Sequence, residues 1–184
     1  MPLTRRNFVK QSGLALSVTV AGKTLCLTPR QAYAQGVAFA NLSQAEVDTL
    51  EAICERLLPG AREEGVAQFV DKQLALDPND SLLFLKCFNV EPPYLAFYRS
   101  ALAEIVRLSE ATYSRAVADL DEASATRLIE SLRDGTTEDW NGPPPPLVYH
   151  ALRNDAVDVV YGTMEGFADL GIPFLAHIEP PAVT

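Results

Sequence analysis

An all-α fold, a single bundle of about five to six helices preceded by an export signal, is what this 184-residue sequence predicts. Three observations carry that expectation. Apolar residues recur at helical spacing in successive segments, Pro, Gly and Asp punctuate those segments at short intervals, and no useful stretch alternates with a period of two. With 48% apolar and 21% charged residues and a mean hydropathy of +0.04, the composition is that of an ordinary globular chain.

The first 34 residues read as an address rather than as part of the bundle. Thr4-Arg5-Arg6-Asn7-Phe8-Val9-Lys10 precedes an apolar run over 13–22, and the segment closes on Ala32-Tyr33-Ala34. A basic start, an apolar stretch and an A-x-A site form the three-part layout of an export signal, with cleavage expected after Ala34. The run is far shorter than the roughly 20 residues that span a bilayer. Paired Arg5 and Arg6, with Phe8 and Lys10 following, resemble the twin-arginine signal, a route that carries folded cargo. Arg30, a late positive charge, disfavours the ordinary secretory route. A periplasmic location follows as an expectation, with the twin-arginine translocase as a transient partner. The β-branched Val18-Thr19-Val20 and the glycines Gly13 and Gly22 speak against an amphipathic helix here.

Residues 35–42 are expected to be a flexible leader and residues 43–184 the helical domain. Ser43-Gln44-Ala45-Glu46 is a capping box opening a helix with Val47, Leu50, Ile53, Cys54, Leu57 and Leu58 on one face, stopped by Pro59-Gly60. A second helix near 62–76 carries Val66, Phe69, Val70 and Leu74. Asp77-Pro78-Asn79-Asp80 is a turn before the short apolar segment Leu82–Leu85. A longer helix starts near Tyr94 with Leu95, Tyr98, Leu102, Ile105 and Val106 inward. Another spans about 122–133 and stops at Gly135. After the break Gly135–Pro146, which ends in four prolines, a last helix is expected from Leu147 to Leu170, with Gly171 as its cap and an extended tail beyond.

Charge narrows the partners. Residues 1–34 hold five bases and no acid, so the remainder carries all 24 acids against ten bases. A body this acidic repels nucleic acid and anionic membranes. The catalytic inventory is thin: there is no GxGxxG after a strand, no Walker A loop, no GxSxG elbow and no CxxCH. No catalytic, cofactor-binding or metal-ligating residue is therefore assigned. His150 and Asp158 lie about 80° apart around a helix, so His150, Asp155, Asp158 and His177 make no aligned metal set, and Asp155 with Asp158 reads as a solvated acidic face. Tyr149, Tyr161 and Phe167 read as core aromatics rather than a flavin platform. Outside the signal, Cys54 and Cys87 remain. They either bridge in an oxidising compartment, for about 3–4 kcal/mol by chain entropy, or stay as buried thiols.

The C-terminal stretch is the most distinctive. Gly162 and Gly166, expected four apart on one helix, expose backbone for close approach, and each glycine costs about 1 kcal/mol relative to alanine. The apolar tail needs cover, from its own bundle or from a partner. Tyr161, Gly162, Gly166, Phe167, Gly171, Pro173, Phe174 and His177 are the residues assigned to a partner surface.

Those residues also carry a resemblance. The twin-arginine start, the run Glu55-Arg56-Leu57-Leu58-Pro59-Gly60-Ala61 with Glu64-Gly65-Val66 and Phe69-Val70-Asp71 behind it, and the close Tyr161-Gly162-Thr163, Glu165-Gly166 and Leu170-Gly171-Ile172-Pro173 together resemble gluconate 2-dehydrogenase subunit 3. The likeness covers most of residues 1–181. It departs in lacking a Tyr-Gly-Gly-Asn segment and a late tryptophan. The resemblance implies a non-catalytic small subunit that accompanies a large FAD-dependent dehydrogenase oxidising gluconate, a sugar or an alcohol. It also implies a multi-haem c-type cytochrome subunit as electron acceptor, with complex and chain peripheral to the inner membrane. The rival expectation is a free-standing periplasmic helical enzyme or small-ligand-binding protein.

Overall fold

The computed structural model describes residues 16–20 and 23–173. In chain order it contains strands β1 (Leu16–Val20) and β2 (Lys23–Leu27), then helices α1 (Pro29–Ala34), α2 (Gln44–Leu57) and α3 (Val66–Leu74). These are followed by α4 (Tyr94–Tyr113), α5 (Glu122–Asp134), α6 (Pro145–Tyr161) and α7 (Met164–Asp169). Single 3-10 turns, Phe84–Phe88 and Val117–Asp119, flank α4. The chain is mostly helical, as expected. The exception lies within the 34 residues read as an export signal, where β1 and β2 pair antiparallel with Leu16 opposite Leu27 and Val20 opposite Lys23. Val18, Thr19 and Val20 are stiff at χ1 and favour extended backbone, so a hairpin is the natural outcome for that run.

Helix α2 is the centre of the bundle and touches α3, α4, α5, α6 and the Val117–Asp119 turn. Its start is the capping box read from sequence: the Glu46 amide donates to Ser43 Oγ, and the Ser43 amide donates to the Glu46 carboxylate at 2.7 Å. Val47, Leu50, Ile53 and Cys54 are buried on it. Its end is fixed by Glu55, whose carboxylate accepts from the amides of Gly60 (2.9 Å) and Arg62 (3.0 Å) across the Pro59-Gly60 turn. Arg56 ties the same end to α5's approach by donating to the Leu120 carbonyl at 2.9 Å. The Glu55-Arg56 pair in the distinctive run is thus bound into the turn and the neighbouring backbone.

The segment 35–42, expected to be flexible, is instead held down. Both carboxylate oxygens of Asp71, on α3, are used: Oδ2 accepts from the Ala40 amide (2.9 Å), and Oδ1 accepts from Asn41 (2.7 Å) and Leu42 (2.9 Å). The Asn41 side chain returns a bond to the Asp71 carbonyl, Arg99 donates to the Asn41 carbonyl, and Leu42 is buried. A short, mostly apolar stretch is ordered here through its backbone amides by one carboxylate contributed some thirty residues later.

Helix α5 is capped by Asp121, which accepts from the Ser124 amide, and ends at Gly135 in the left-handed region, as expected. The following loop is bound to α4: Glu104 accepts from the Asn141 amide at 3.1 Å, and Arg107 donates to the Asp139 carbonyl at 2.7 Å. Trp140, the single tryptophan, lies over Gly142 and donates its indole N–H to the Pro143 carbonyl at 2.6 Å. Pro145 and Pro146 then open α6, where a missing N–H has no penalty.

Candidate functional site

The expected last helix is two helices. α6 ends at Tyr161, Gly162 is its C-cap, and the chain restarts at Thr163, whose Oγ1 accepts from the Gly166 amide at 3.0 Å to open α7. Gly162 and Gly166 therefore do not share one helical face, which corrects the reason given for their exposure. Gly166 is buried, and a Cβ there would run into the Val160 carbonyl and the Tyr161 backbone of its own chain. Its bareness lets α7 fold back on the end of α6. Gly171 takes a positive φ of 67° beyond α7, the stop expected of it.

This fold-back leaves large apolar side chains exposed at the start of α7 and just past its end. Met164, Leu170 and Ile172 are 43%, 49% and 50% exposed, while Tyr161 and Phe167 are half-buried and Pro173 is exposed. Phe174 and His177, the remaining residues assigned to the partner surface, lie outside the described residues, as do Arg5, Arg6, Phe8 and Lys10. Beside the ridge, a cleft of about 380 Å³ separates α7 from α1, lined by Thr28, Pro29, Arg30, Glu64, Thr163 and Met164 among others. Arg30 and Glu64 pair across it at 3.1 Å. Burial pushes the Glu64 carboxyl above its ordinary range; Arg30 opposes this, and Glu165, Glu63 and Asp169 add to it. The surface is thus an apolar ridge with an acidic margin and one cation. A second group of exposed apolar side chains, Leu76, Leu82 and Phe88, lies around the Phe84–Phe88 turn.

The two alanines assigned to signal cleavage sit on α1, with Ala32 fully buried and Ala34 exposed at the last position. The cysteine bridge does not form: Cys54 and Cys87 are both free. Cys54 is sealed under α6, its thiol 3.6 Å from the Leu152 carbonyl, whereas Cys87 faces solvent on the Phe84–Phe88 turn. Helical spacing put both on apolar segments but could not separate an inward from an outward direction in a 3-10 turn.

Sequence reasoning also misplaced Asp155. It is completely buried between α4 and α6, where the Tyr98 hydroxyl donates to its Oδ2 at 2.6 Å and its Oδ1 has no hydrogen-bond partner. Burial pushes its pKa up to about 8, the Tyr98 hydrogen bond works against this, and Asp158 adds to it. Burial also raises the Tyr98 hydroxyl and the Cys54 thiol, each further raised by Asp155. All three shifts favour the uncharged form of the group. The signal for this was present in the sequence: Val148, Ala151, Leu152, Asp155, Ala156 and Val159 occupy one helical stripe. Asp158, three residues on, is half-buried, and only it approaches the acidic-face reading. Among the described residues no three His, Cys, Asp or Glu side chains converge as a metal set, and no helix is long and apolar enough to cross a membrane.

No curated protein and no solved structure matches this sequence. A family model does, over residues 44–174, from the first residue of α2 to just past α7. That span takes in the Glu55 turn, Asp71 itself, the buried Tyr98–Asp155 pair and the α6–α7 fold-back, and it covers more than two thirds of the chain. The chain belongs to the family of gluconate 2-dehydrogenase subunit 3.

Proposed function

We propose that this chain is the non-catalytic small subunit of a periplasmic, membrane-associated FAD-dependent dehydrogenase complex that oxidises gluconate, a sugar or an alcohol. Membership in a family described as a dehydrogenase subunit is the observation that carries this reading. In it, the flavin belongs to a large partner subunit, and c-type haem to a cytochrome subunit that passes electrons onward. This chain contributes two things: Arg5 and Arg6 as the export signal for the assembled pair, and the α7 ridge as a bracing surface for the flavoprotein. Met164, Leu170 and Ile172 support the second part, because three large apolar side chains projecting from one short fold-back gain most when another surface covers them.

Two experiments test the two parts. Replacing Arg5 and Arg6 by lysine is expected to lower periplasmic dehydrogenase activity by about tenfold or more, with both subunits retained in the cytoplasm. Unchanged periplasmic activity would dispose of the carrier role. The pair Leu170→Glu and Ile172→Glu is expected to weaken co-purification of the large subunit by about a hundredfold, equivalent to about 3 kcal/mol. Full recovery of the complex would place the contact elsewhere on the surface.

A further inference from the structure

The assigned cleavage site is built into the folded domain. Ala32 has no exposed surface, and its carbonyl accepts from the Val37 amide at 3.0 Å. Helix α1 has its own reciprocal cap, with the Gln31 amide donating to Thr28 Oγ1 at 3.2 Å and the Thr28 amide to Gln31 Oε1 at 3.0 Å. It lies on the start of α3, where Gly65, at a φ of 81°, passes so close that a Cβ would strike the Pro29 carbonyl. The Arg30–Glu64 pair closes the other side. Leu27 before the helix, Pro29 at its first position and Leu42 after it are buried as well. Downstream, the Asp71 clamp holds residues 40–42.

An A-x-A site is read in extended form, where side chains two apart point the same way and enter neighbouring small pockets. On a helix, residues two apart are rotated by about 200°, so the same two alanines face opposite directions. That is the arrangement here: Ala32 points into the core and Ala34 out. A route that carries folded cargo would present the peptidase with α1 already formed. We propose that the segment from Thr28 to Leu42 is a permanent strap of the domain and that the strap protects the Ala34–Gln35 bond, so the leader is retained on the finished protein. The biological setting rests on the twin-arginine reading; the test below does not.

The full chain, purified from the cytoplasm, is incubated with a type I signal peptidase in detergent micelles beside a synthetic peptide of residues 25–40, and both are followed by mass. The peptide is expected to be cut after Ala34, and the folded chain, at 20.0 kDa, to be cut at least about a hundredfold more slowly, as a bond reached only through local opening. Gly65→Val, which forces Pro29 away, and Thr28→Ala with Arg30→Ala, which removes the cap and the ion pair, are expected to bring cutting within about tenfold of the peptide. Circular dichroism checks that α2–α6 persist, and the second variant decides if the first unfolds. Cutting of the native chain at the peptide's rate would overturn the proposal. So would an uncut peptide, which leaves the strap nothing to hide, or variants that stay protected although the peptide is cut. In cells, a periplasmic chain beginning at Gln35 would overturn it while leaving the export reading intact. A chain found only in the cytoplasm would sink the export reading, and the purified-protein comparison would still decide this one.

Discussion

Replacing Asp71 by alanine is expected to destabilise the protein by about 3–5 kcal/mol, a loss as large as that of a buried core side chain. One carboxylate satisfies three backbone amides, those of Ala40, Asn41 and Leu42, and it is itself buried. Each buried donor left without a partner costs about 1–3 kcal/mol, partly relieved where water reaches Ala40. Leu42, drawn in by these bonds, would lose part of its burial too. Asp71→Asn separates hydrogen bonding from shape. It keeps one acceptor oxygen and places an NH2 against an amide, so it is expected to lose nearly as much. Urea denaturation of the two variants checks this, with the midpoint as the quantity read and the slope reporting any loosening of the native segment. A loss under about 1 kcal/mol would mean that the clamp is dispensable.

A second large effect is expected from Asp155→Asn, and it appears only as pH changes. A carboxyl whose folded pKa is raised to about 8 from an ordinary 3.8 holds its proton more tightly in the folded chain than in the unfolded one. Its contribution is fully present below about pH 4 and is lost progressively as pH rises toward about 8, after which the folded form also ionises and the loss levels off. Each unit of difference is worth about 1.4 kcal/mol, so a few kcal/mol are at stake across this window. The Tyr98 hydroxyl and the Cys54 thiol face the same carboxyl, both pushed upward, and do not titrate within it. Asp158, raised by burial, contributes in the same direction with a smaller amplitude. Asparagine accepts from Tyr98 as the protonated acid does and cannot ionise. Thermal unfolding of the variant and the parent is expected to agree within about 1 kcal/mol at pH 5 and to favour the variant by about 1–3 kcal/mol at pH 8. Parallel pH profiles would show that Asp155 is not the buried acid responsible.

Both predictions concern residues that patterns alone passed over, for different reasons. Helix starts and stops were legible wherever a local rule decides them. Ser43 and Glu46 sit three apart, Pro59-Gly60 cannot continue a helix, and Gly135 accepts a positive φ; each does in the structure what its chemistry requires. The break at Gly162-Thr163 was not legible, because the cap at Thr163 uses Gly166 at its third position instead of a Glu or Gln. The apolar periodicity continues across it without a visible change of phase. The strand pair Leu16–Val20 and Lys23–Leu27 was hidden by the reading of residues 1–34 as an export signal, although Val18-Thr19-Val20 already argued for extended backbone. Asp71 lay beyond any local rule, since its three partners are some thirty residues away. Asp155 was within reach, on the buried stripe of α6, but an acid on an apolar stripe is ordinarily judged by its neighbouring acid and not by its phase. Of the residues assigned to a partner surface, Gly171 and Pro173 are exposed as that assignment requires, which does not by itself identify a contact. The exposed Met164, Leu170 and Ile172 emerged only once α7 folded back.

The placement of Trp140 gives the chain a built-in spectroscopic reporter. As the sole indole, hydrogen-bonded to Pro143 and stacked over Gly142 in a loop that Glu104 and Arg107 bind to α4, it supplies the tryptophan emission of the whole molecule from one neighbourhood. A red shift in that emission marks rupture of the α5–α6 junction and is silent to events confined to α1. Ellipticity sums over every helix. Where the two signals part company along a denaturation curve, the gap between them measures how far the N-terminal portion comes loose before the bundle does.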